Sequence, residues 1–206
     1  MTGPYNEQVI SMGYGIIVFR NYFRDSANFI AKLESTINQL NEDSRWKKSE
    51  VSTPEGNVVS DARTNAQFVL SRNINQSVSN SVSQQALWQM AEHLNFSFSE
   101  CLDRYLCFVG GEVSSRLQQS YVVLKYESTE KYLSHMDDGP RTPRRVSALC
   151  YLNDKFKGGH LEFPFFGIRY APCEGDLVFF PSGLPYHHLS SPIESGTKYS
   201  VVAWWS

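Results

Sequence analysis

No run of this sequence is apolar for long enough to cross a bilayer, and Met1 to Phe19 lacks the extended apolar core of a secretory leader. A soluble, cytoplasmic chain with no membrane partner is the expectation. An excess of either charge is missing too. Nineteen Lys and Arg stand against 21 Asp and Glu, and a net charge of −2 gives no electrostatic reason to expect nucleic acid. Cysteine is sparse. Cys101, Cys107, Cys150 and Cys173 form no Cys-x-x-Cys pair, so they read as reduced, partly buried thiols rather than as a disulfide frame. There is no internal repeat and no linker that would divide the chain, which leaves one domain over residues 1–206. Oligomeric state leaves no trace in the sequence.

Aromatic residues, by contrast, are plentiful. At 14% aromatic and 41% hydrophobic, the composition favours a β-rich fold with a well-packed interior. Gly13 to Phe19 reads as a strand bounded by glycines. An amphipathic helix follows, capped by Asp25 or Ser26, with Phe29, Ile30, Leu33, Ile37 and Leu40 at helical spacing. Arg45 to Asn65 is polar, with a turn at Pro54-Glu55-Gly56-Asn57, and reads either as a mobile lid or as a solvent-exposed hairpin. Gln67 to Leu70 is a brief strand, and Ser71 to Ser83 a loop or helix approach. A second helix carries Leu87, Met90, Ala91 and Leu94, and a third, starting near Ser97, carries Cys101, Leu102, Tyr105 and Leu106.

After Gly110-Gly111 the texture changes to strands and turns. Strands are expected at about Gln118–Tyr126, Val146–Leu152, His160–Phe163, Gly167–Tyr170, Asp176–Phe180, Tyr186–Ser190 and Lys198–Trp205. Short strands at this spacing make a sandwich or barrel, with the earlier helices packed outside it as an α+β arrangement. Residues 1–117 then form helical support and lid, and 118–206 the β-core.

One triplet in that core carries chemistry. In an extended segment residues i and i+2 point the same way, so His135-Met136-Asp137 presents an imidazole and a carboxylate to one point. A histidine from the later pair His187-His188 would complete two neutral nitrogens and one anionic oxygen on one face of a metal. Non-haem Fe(II) oxygenases use that set and leave the remaining positions open. The bland alternative is a hydrogen-bonded loop histidine at His135 and a turn-forming Asp137 before Gly139-Pro140. Lys198 begins an otherwise apolar strand, where an ammonium must face either water or a bound anion.

The residues around these positions resemble a known family. The blocks are Lys125-Tyr126, Tyr132 to Asp137, Leu149 to Asp154, Gly158-Gly159-His160-Leu161-Glu162-Phe163-Pro164, Glu174 to Ser182, and His188 to Trp204. Together they are similar to the 2-oxoglutarate- and Fe(II)-dependent dioxygenases, in their prolyl 4-hydroxylase branch, over about residues 118–205. In that family the second ligand histidine stands four residues before a proline and ten before a basic residue, as His188 does before Pro192 and Lys198. The resemblance implies a double-stranded β-helix (jelly roll) with flanking N-terminal helices. It implies His135, Asp137 and His188 as ligands and catalytic centre, with His187 on the opposite strand face. Lys198, Tyr126 and Leu161 become the 2-oxoglutarate contacts. Arg45-Trp46 and Asp61-Ala62-Arg63-Thr64 look like parts of a substrate-covering hairpin. The filled carboxylate position separates the chain from halogenases of the same fold. Cys150 stands where some members carry a second tyrosine near the cosubstrate.

The implied activity uses Fe(II), 2-oxoglutarate and O2, with ascorbate as reductant, and hydroxylates a substrate C–H. A prolyl residue of a peptide or protein is the first reading. A small molecule or another residue type is the second, and a jelly-roll module that binds metal without turnover is the third. Candidate substrate contacts are Arg63, Tyr132, Arg144, Arg145 and Trp204. The alternatives are a solvated basic turn for the arginines and plain core packing for the tryptophan.

Overall fold

Alternation along a strand sends neighbouring residues to opposite faces, and in this protein both faces are buried in different company. On the strand Leu177–Pro181, Leu177 and Phe179 face the helices, while Val178 and Phe180 face a second sheet. The strand Lys198–Trp205 does the same, with Val201, Ala203 and Trp205 toward the helices and Val202 and Trp204 toward the interior between sheets. These runs are apolar on both faces because each packs on something.

The computed structural model describes residues 8–53, 56–72, 82–115, 118, 120–140 and 142–206. Pro54 and Glu55 of the expected turn, most of the polar stretch Ser71 to Ser83, and residues 1–7 lie outside the described residues. An antiparallel sheet of eight strands runs in the order Gln8–Ser11, Ile17–Arg20, Leu177–Pro181, Val146–Tyr151, Lys198–Trp205, Ser120–Tyr126, Ala66–Ser71 and Lys47–Lys48. Facing it is a sheet of four, in the order Ile168–Tyr170, Leu161–Phe163, His188–Ser190 and Tyr132–His135. Glu50–Thr53 and Gly56–Val59 pair as a separate hairpin. Helices α1 (Ser26–Asn38) and α2 (Val82–Val109) cover the outer face of the large sheet.

Several expectations are corrected. The second and third helices are one helix of 28 residues. The polar Asn95 to Ser97 stretch does not break it, because its side chains find partners that leave the helical ladder intact. Ser97 Oγ donates to the His93 carbonyl one turn back, and Asn95 Oδ1 accepts from Tyr121 Oη and Arg72 Nη1. Neither Asp25 nor Ser26 caps α1 with its side chain. Ser26 is already helical and donates to the Phe23 carbonyl, while Asp25 holds a left-handed conformation at φ 61°. Gly13 to Gly15 belong to a hairpin turn, and the strand begins only at Ile17 and pairs with an unexpected strand, Gln8–Ser11. All four cysteines are free thiols. Among the described residues no helix is long and apolar enough to cross a membrane.

Candidate metal centre and its cavity

The strands Tyr132–His135 and His188–Ser190 are antiparallel neighbours, and their register sets His188 directly opposite His135. The chain leaves the first strand after His135, and Asp137 turns back toward both rings. One nitrogen of each imidazole and one carboxylate oxygen of Asp137 lie within 4.8 Å of one another. His135 Nδ1 lies 2.9 Å from the Leu133 carbonyl and His188 Nδ1 lies 3.2 Å from the Tyr186 carbonyl. A carbonyl only accepts, so both rings donate through Nδ1 and turn a lone pair on Nε2 toward Asp137. The Nε2 atoms lie 3.6 and 3.7 Å from the two carboxylate oxygens.

Charge on these groups follows from their surroundings. Burial opposes the Asp137 charge, yet His188, His135 and the Ser147 hydroxyl hold its carboxyl far below the usual carboxylate range. Burial pushes His188 down to about 4 against the pull of Asp137, so its ring is neutral near pH 7. Two imidazole nitrogens and one carboxylate, presented to an open cavity, suit a divalent transition metal with free coordination positions. Packing fixes the rings. Tyr132 stacks on His135 at 3.5 Å, and Phe180 and Phe163 lie 4.7 and 5.8 Å from the His188 ring. His187 is exposed, as its placement away from the ligand face requires.

The metal residues line a cavity of about 700 Å³. Lys198 lies in the same wall, 2% exposed, in register with Tyr126 of the adjacent strand. Its Nζ donates to the Gly159 carbonyl at 2.7 Å and to Ser190 Oγ at 2.9 Å. The rings of Tyr126 and Tyr151 lie 5.0 and 5.4 Å from that nitrogen. No carboxylate among the described residues pairs with it, and burial pushes its pKa down to about 7. The glycine at 159 is required. A Cβ there would meet Ile193 Cδ1 at 2.5 Å and Lys198 Cδ at 3.1 Å, from a backbone at φ +62°.

The remaining candidates also face this cavity. Arg63 stacks over Tyr132 at 4.7 Å and donates to the Glu50 carbonyl, which ties the hairpin of Glu50–Thr53 and Gly56–Val59 to the strand Tyr132–His135. Arg144 lies 3.8 Å over the Trp204 ring and donates to the Asp137 carbonyl. The Trp204 indole N–H is buried and has no acceptor among the described residues. Leu161 is in the wall, and Glu50, Val51 and Thr53 of the hairpin complete it. Arg145 is different. Its backbone links two strands and its residue is exposed, outside the cavity lining.

Three positions escaped the sequence reading. Ser147 Oγ donates to Asp137 Oδ2 at 2.6 Å and shares a hydrogen bond with Ser182 Oγ, both serines being fully buried. Ser190 stands two residues after His188, so alternation alone aims it at the same face. Tyr151 lines the cavity, whereas Cys150 packs toward the helices and has no place near a cosubstrate.

Comparison with known proteins places this arrangement. Residues 121–206 match the 2OG-Fe(II) oxygenase superfamily. A probable prolyl 4-hydroxylase 9 of Arabidopsis thaliana is 30% identical over 115 residues, covering 42% of this chain and 40% of the relative. The chain thus spans less than half the length of that curated relative. A prolyl hydroxylase of Trichoplax adhaerens, solved with a hypoxia inducible factor oxygen degradation domain peptide, superposes with a TM-score of 0.64 at 16% identity, over 93% of this chain and 83% of that one. A viral collagen prolyl hydroxylase of Paramecium Bursaria Chlorella virus-1, solved as a 2OG complex, gives 0.61 at 16% identity, over 94% and 96%. These likenesses show a double-stranded β-helix with helices on its large sheet.

Proposed function

We propose that the protein is an Fe(II)- and 2-oxoglutarate-dependent dioxygenase that hydroxylates a prolyl residue of a peptide, a reading supported by the match of residues 121–206 to the 2OG-Fe(II) oxygenase superfamily. One observation carries the reading. A single cavity holds both a converging His, His, Asp set and a buried ammonium that no carboxylate of the described chain neutralises.

Fe(II), when bound, supplies the redox chemistry that couples decarboxylation of 2-oxoglutarate to succinate and CO2 with insertion of one oxygen atom into a C–H bond. The residues of this chain do the rest. His135 and His188 offer Nε2 while their Nδ1 protons stay on backbone carbonyls, and Asp137 contributes one negative charge under the hold of Ser147. Lys198 holds the distal carboxylate of 2-oxoglutarate as a compact cation, beside Tyr126 and Leu161. Arg63, Tyr132, Arg144 and Trp204 hold the peptide. Their guanidinium and indole N–H groups suit backbone carbonyls, and their rings suit the pyrrolidine. Together with the lid hairpin they exclude water from the reacting carbon.

The test is mass spectrometry of proline peptides incubated with Fe(II), 2-oxoglutarate and O2, with succinate measured in parallel. A gain of one oxygen on proline, matched by succinate, is the expected result. Oxygen gained only by a small molecule or another residue would replace the substrate, and absence of succinate with every substrate would leave a binding module.

A further inference from the structure

Arg72, Arg169 and Arg20 each meet a carboxylate, Glu92 at 2.6 Å, Glu162 at 3.2 Å and Asp176 at 3.6 Å. Arg63 and Arg144 differ. Both are half-buried in the cavity wall, and neither forms an ion pair among the described residues. Neutral groups hold them instead. Arg63 Nε donates to Asn65 Oδ1 at 3.3 Å, and its Nη1 donates to the Glu50 carbonyl at 3.0 Å. Asn65 is fully buried, and its amide nitrogen donates to Ser49 Oγ and to the Ala66 carbonyl. Both amide hydrogens are thereby used, which leaves the oxygen for Arg63. Arg144 Nη1 donates to the Asp137 carbonyl at 3.3 Å, and the guanidinium lies over the Trp204 ring.

These contacts satisfy N–H groups and leave two charges uncompensated. An amide or carbonyl oxygen accepts a hydrogen bond but carries no net charge to set against a guanidinium. The carboxylates whose charge reaches Arg144, Asp137 and Asp138, are engaged otherwise. Asp137 faces the two imidazoles, and Asp138 Oδ1 accepts the Arg144 backbone N–H. Glu50 also lines the cavity, but it is exposed and meets Arg63 through its carbonyl. The two guanidiniums share one neighbourhood, since each acts on the Tyr132 hydroxyl and the Arg63 charge opposes that of Arg144. Half-buried like charges in one wall cost stability until an anion joins them.

2-Oxoglutarate does not supply that anion. In the proposed function one of its carboxylates lies on the metal and the other on Lys198, which leaves the substrate. We propose that Arg63 and Arg144 clamp a carboxylate of the substrate that stands beside the carbon to be hydroxylated. The proposal rests on the peptide-hydroxylase reading and narrows its substrate class to prolyl residues with an adjacent negative charge. A guanidinium fork matches a carboxylate through two parallel hydrogen bonds, and one that lies over a ring keeps its N–H groups at its rim. Two sources offer the same chemistry. One is an Asp or Glu side chain next to the proline, and the other is the terminal carboxylate of a chain that ends in proline.

Three labelled peptides that share the residues before the target proline test it. The first continues with Gln and is amidated, the second carries Glu in place of that Gln, and the third ends at the proline with a free carboxylate. Fluorescence anisotropy with the protein loaded with Mn(II) and 2-oxoglutarate reads affinity without turnover, and mass spectrometry of the Fe(II) reaction reads hydroxylation separately. At low salt one of the anionic peptides is expected to bind roughly tenfold to a hundredfold more tightly than the neutral one, and its identity names the source. That ratio should collapse toward one in Arg63→Gln and in Arg144→Gln, with the thermal midpoint verifying each fold. Arg63→Lys keeps a charge without the planar fork and should retain part of it. Arg145→Gln removes the same charge from an exposed position outside the cavity lining and should keep the whole ratio.

Equal affinity of the parent for all three peptides, or a ratio that survives both glutamine substitutions, overturns the clamp. An equal loss in Arg145→Gln does so too, because it marks general attraction rather than a site. So does weaker binding of 2-oxoglutarate without peptide in Arg63→Gln and Arg144→Gln, since the arginines would then belong to the cosubstrate. A carboxylate preference with no oxygen gained on proline counts against the hydroxylase reading alone, and absence of binding by every peptide overturns both.

Discussion

Asp137 and Lys198 are buried charges in one cavity wall, and the fold surrounds them in opposite ways. Asp137 has a donor in place, the Ser147 hydroxyl, and an imidazole nitrogen on either side of it. Lys198 has a carbonyl, a hydroxyl and the faces of aromatic rings but no carboxylate among the described residues, and burial pulls it down to about 7. The first environment organises ligands around a metal. The second is incomplete without an anion, and a buried cation retained without a partner costs stability unless binding compensates. The comparison separates a charge that the chain supplies with a donor from one that the proposed function leaves to a cosubstrate.

The largest effect should fall on the metal side. His188→Ala is expected to weaken Fe(II) or Mn(II) by more than about a hundredfold, since loss of a direct ligand exceeds the loss caused by its supporting groups. His187→Ala should leave the affinity unchanged, because His187 is exposed. A metal titration in which the two variants exchange behaviours would reverse the assignment.

The lysine side should break in the other direction. The folded pKa of Lys198, about 7, lies below its ordinary value of 10.5. Between the two, the unfolded chain holds a proton that the folded chain does not, so stability rises with pH there by up to about 1.4 kcal/mol per unit. Below that window the full penalty is present. Lys198→Met should therefore make the ligand-free protein more stable at pH 6, with the gap to the parent closing toward pH 10 in urea titrations. A gap independent of pH would mean that the ammonium carries no such cost.

A smaller effect belongs to Ser147. Removing its hydroxyl in Ser147→Ala leaves the Asp137 oxygen without a donor and should weaken metal binding by roughly tenfold, within the range of supporting groups. Unchanged affinity would show that the two imidazoles suffice to orient the carboxylate.

The convergence of His135, Asp137 and His188 was legible from their spacing and from the family resemblance. The i, i+2 spacing of His135 and Asp137 was read as extended chain, whereas the strand ends at His135 and a bend returns Asp137 to the rings; the spacing from His188 to Lys198 could be read directly. Ser147 was not legible, because it reaches Asp137 across ten positions of chain, from a strand of the large sheet to the bend that follows Tyr132–His135 of the other sheet. The parity of Val146–Tyr151 decided whether Cys150 or Tyr151 meets the cavity, and a run buried on both faces gives no periodicity from which to choose. Helix α2 was divided in error at Asn95 to Ser97. Those polar side chains look like a cap, and only the structure shows them bonded to Tyr121, Arg72 and a carbonyl one turn back. The hairpin of Glu50–Thr53 and Gly56–Val59 was visible as turn chemistry, but its place in the cavity wall depends on Arg63 reaching both Glu50 and Tyr132.

The central claim is that Lys198 awaits the distal carboxylate of a cosubstrate whose other end sits on the metal. Calorimetric titration of 2-oxoglutarate into the metal-loaded, oxygen-free protein tests it most directly, with pyruvate as the ligand that lacks that carboxylate. Lys198→Ala should weaken 2-oxoglutarate by roughly ten- to a hundredfold, the worth of one charge-assisted contact, and leave pyruvate and the metal unaffected. If Lys198→Ala binds 2-oxoglutarate as tightly as the parent, the buried ammonium has another partner and the account of this cavity is wrong.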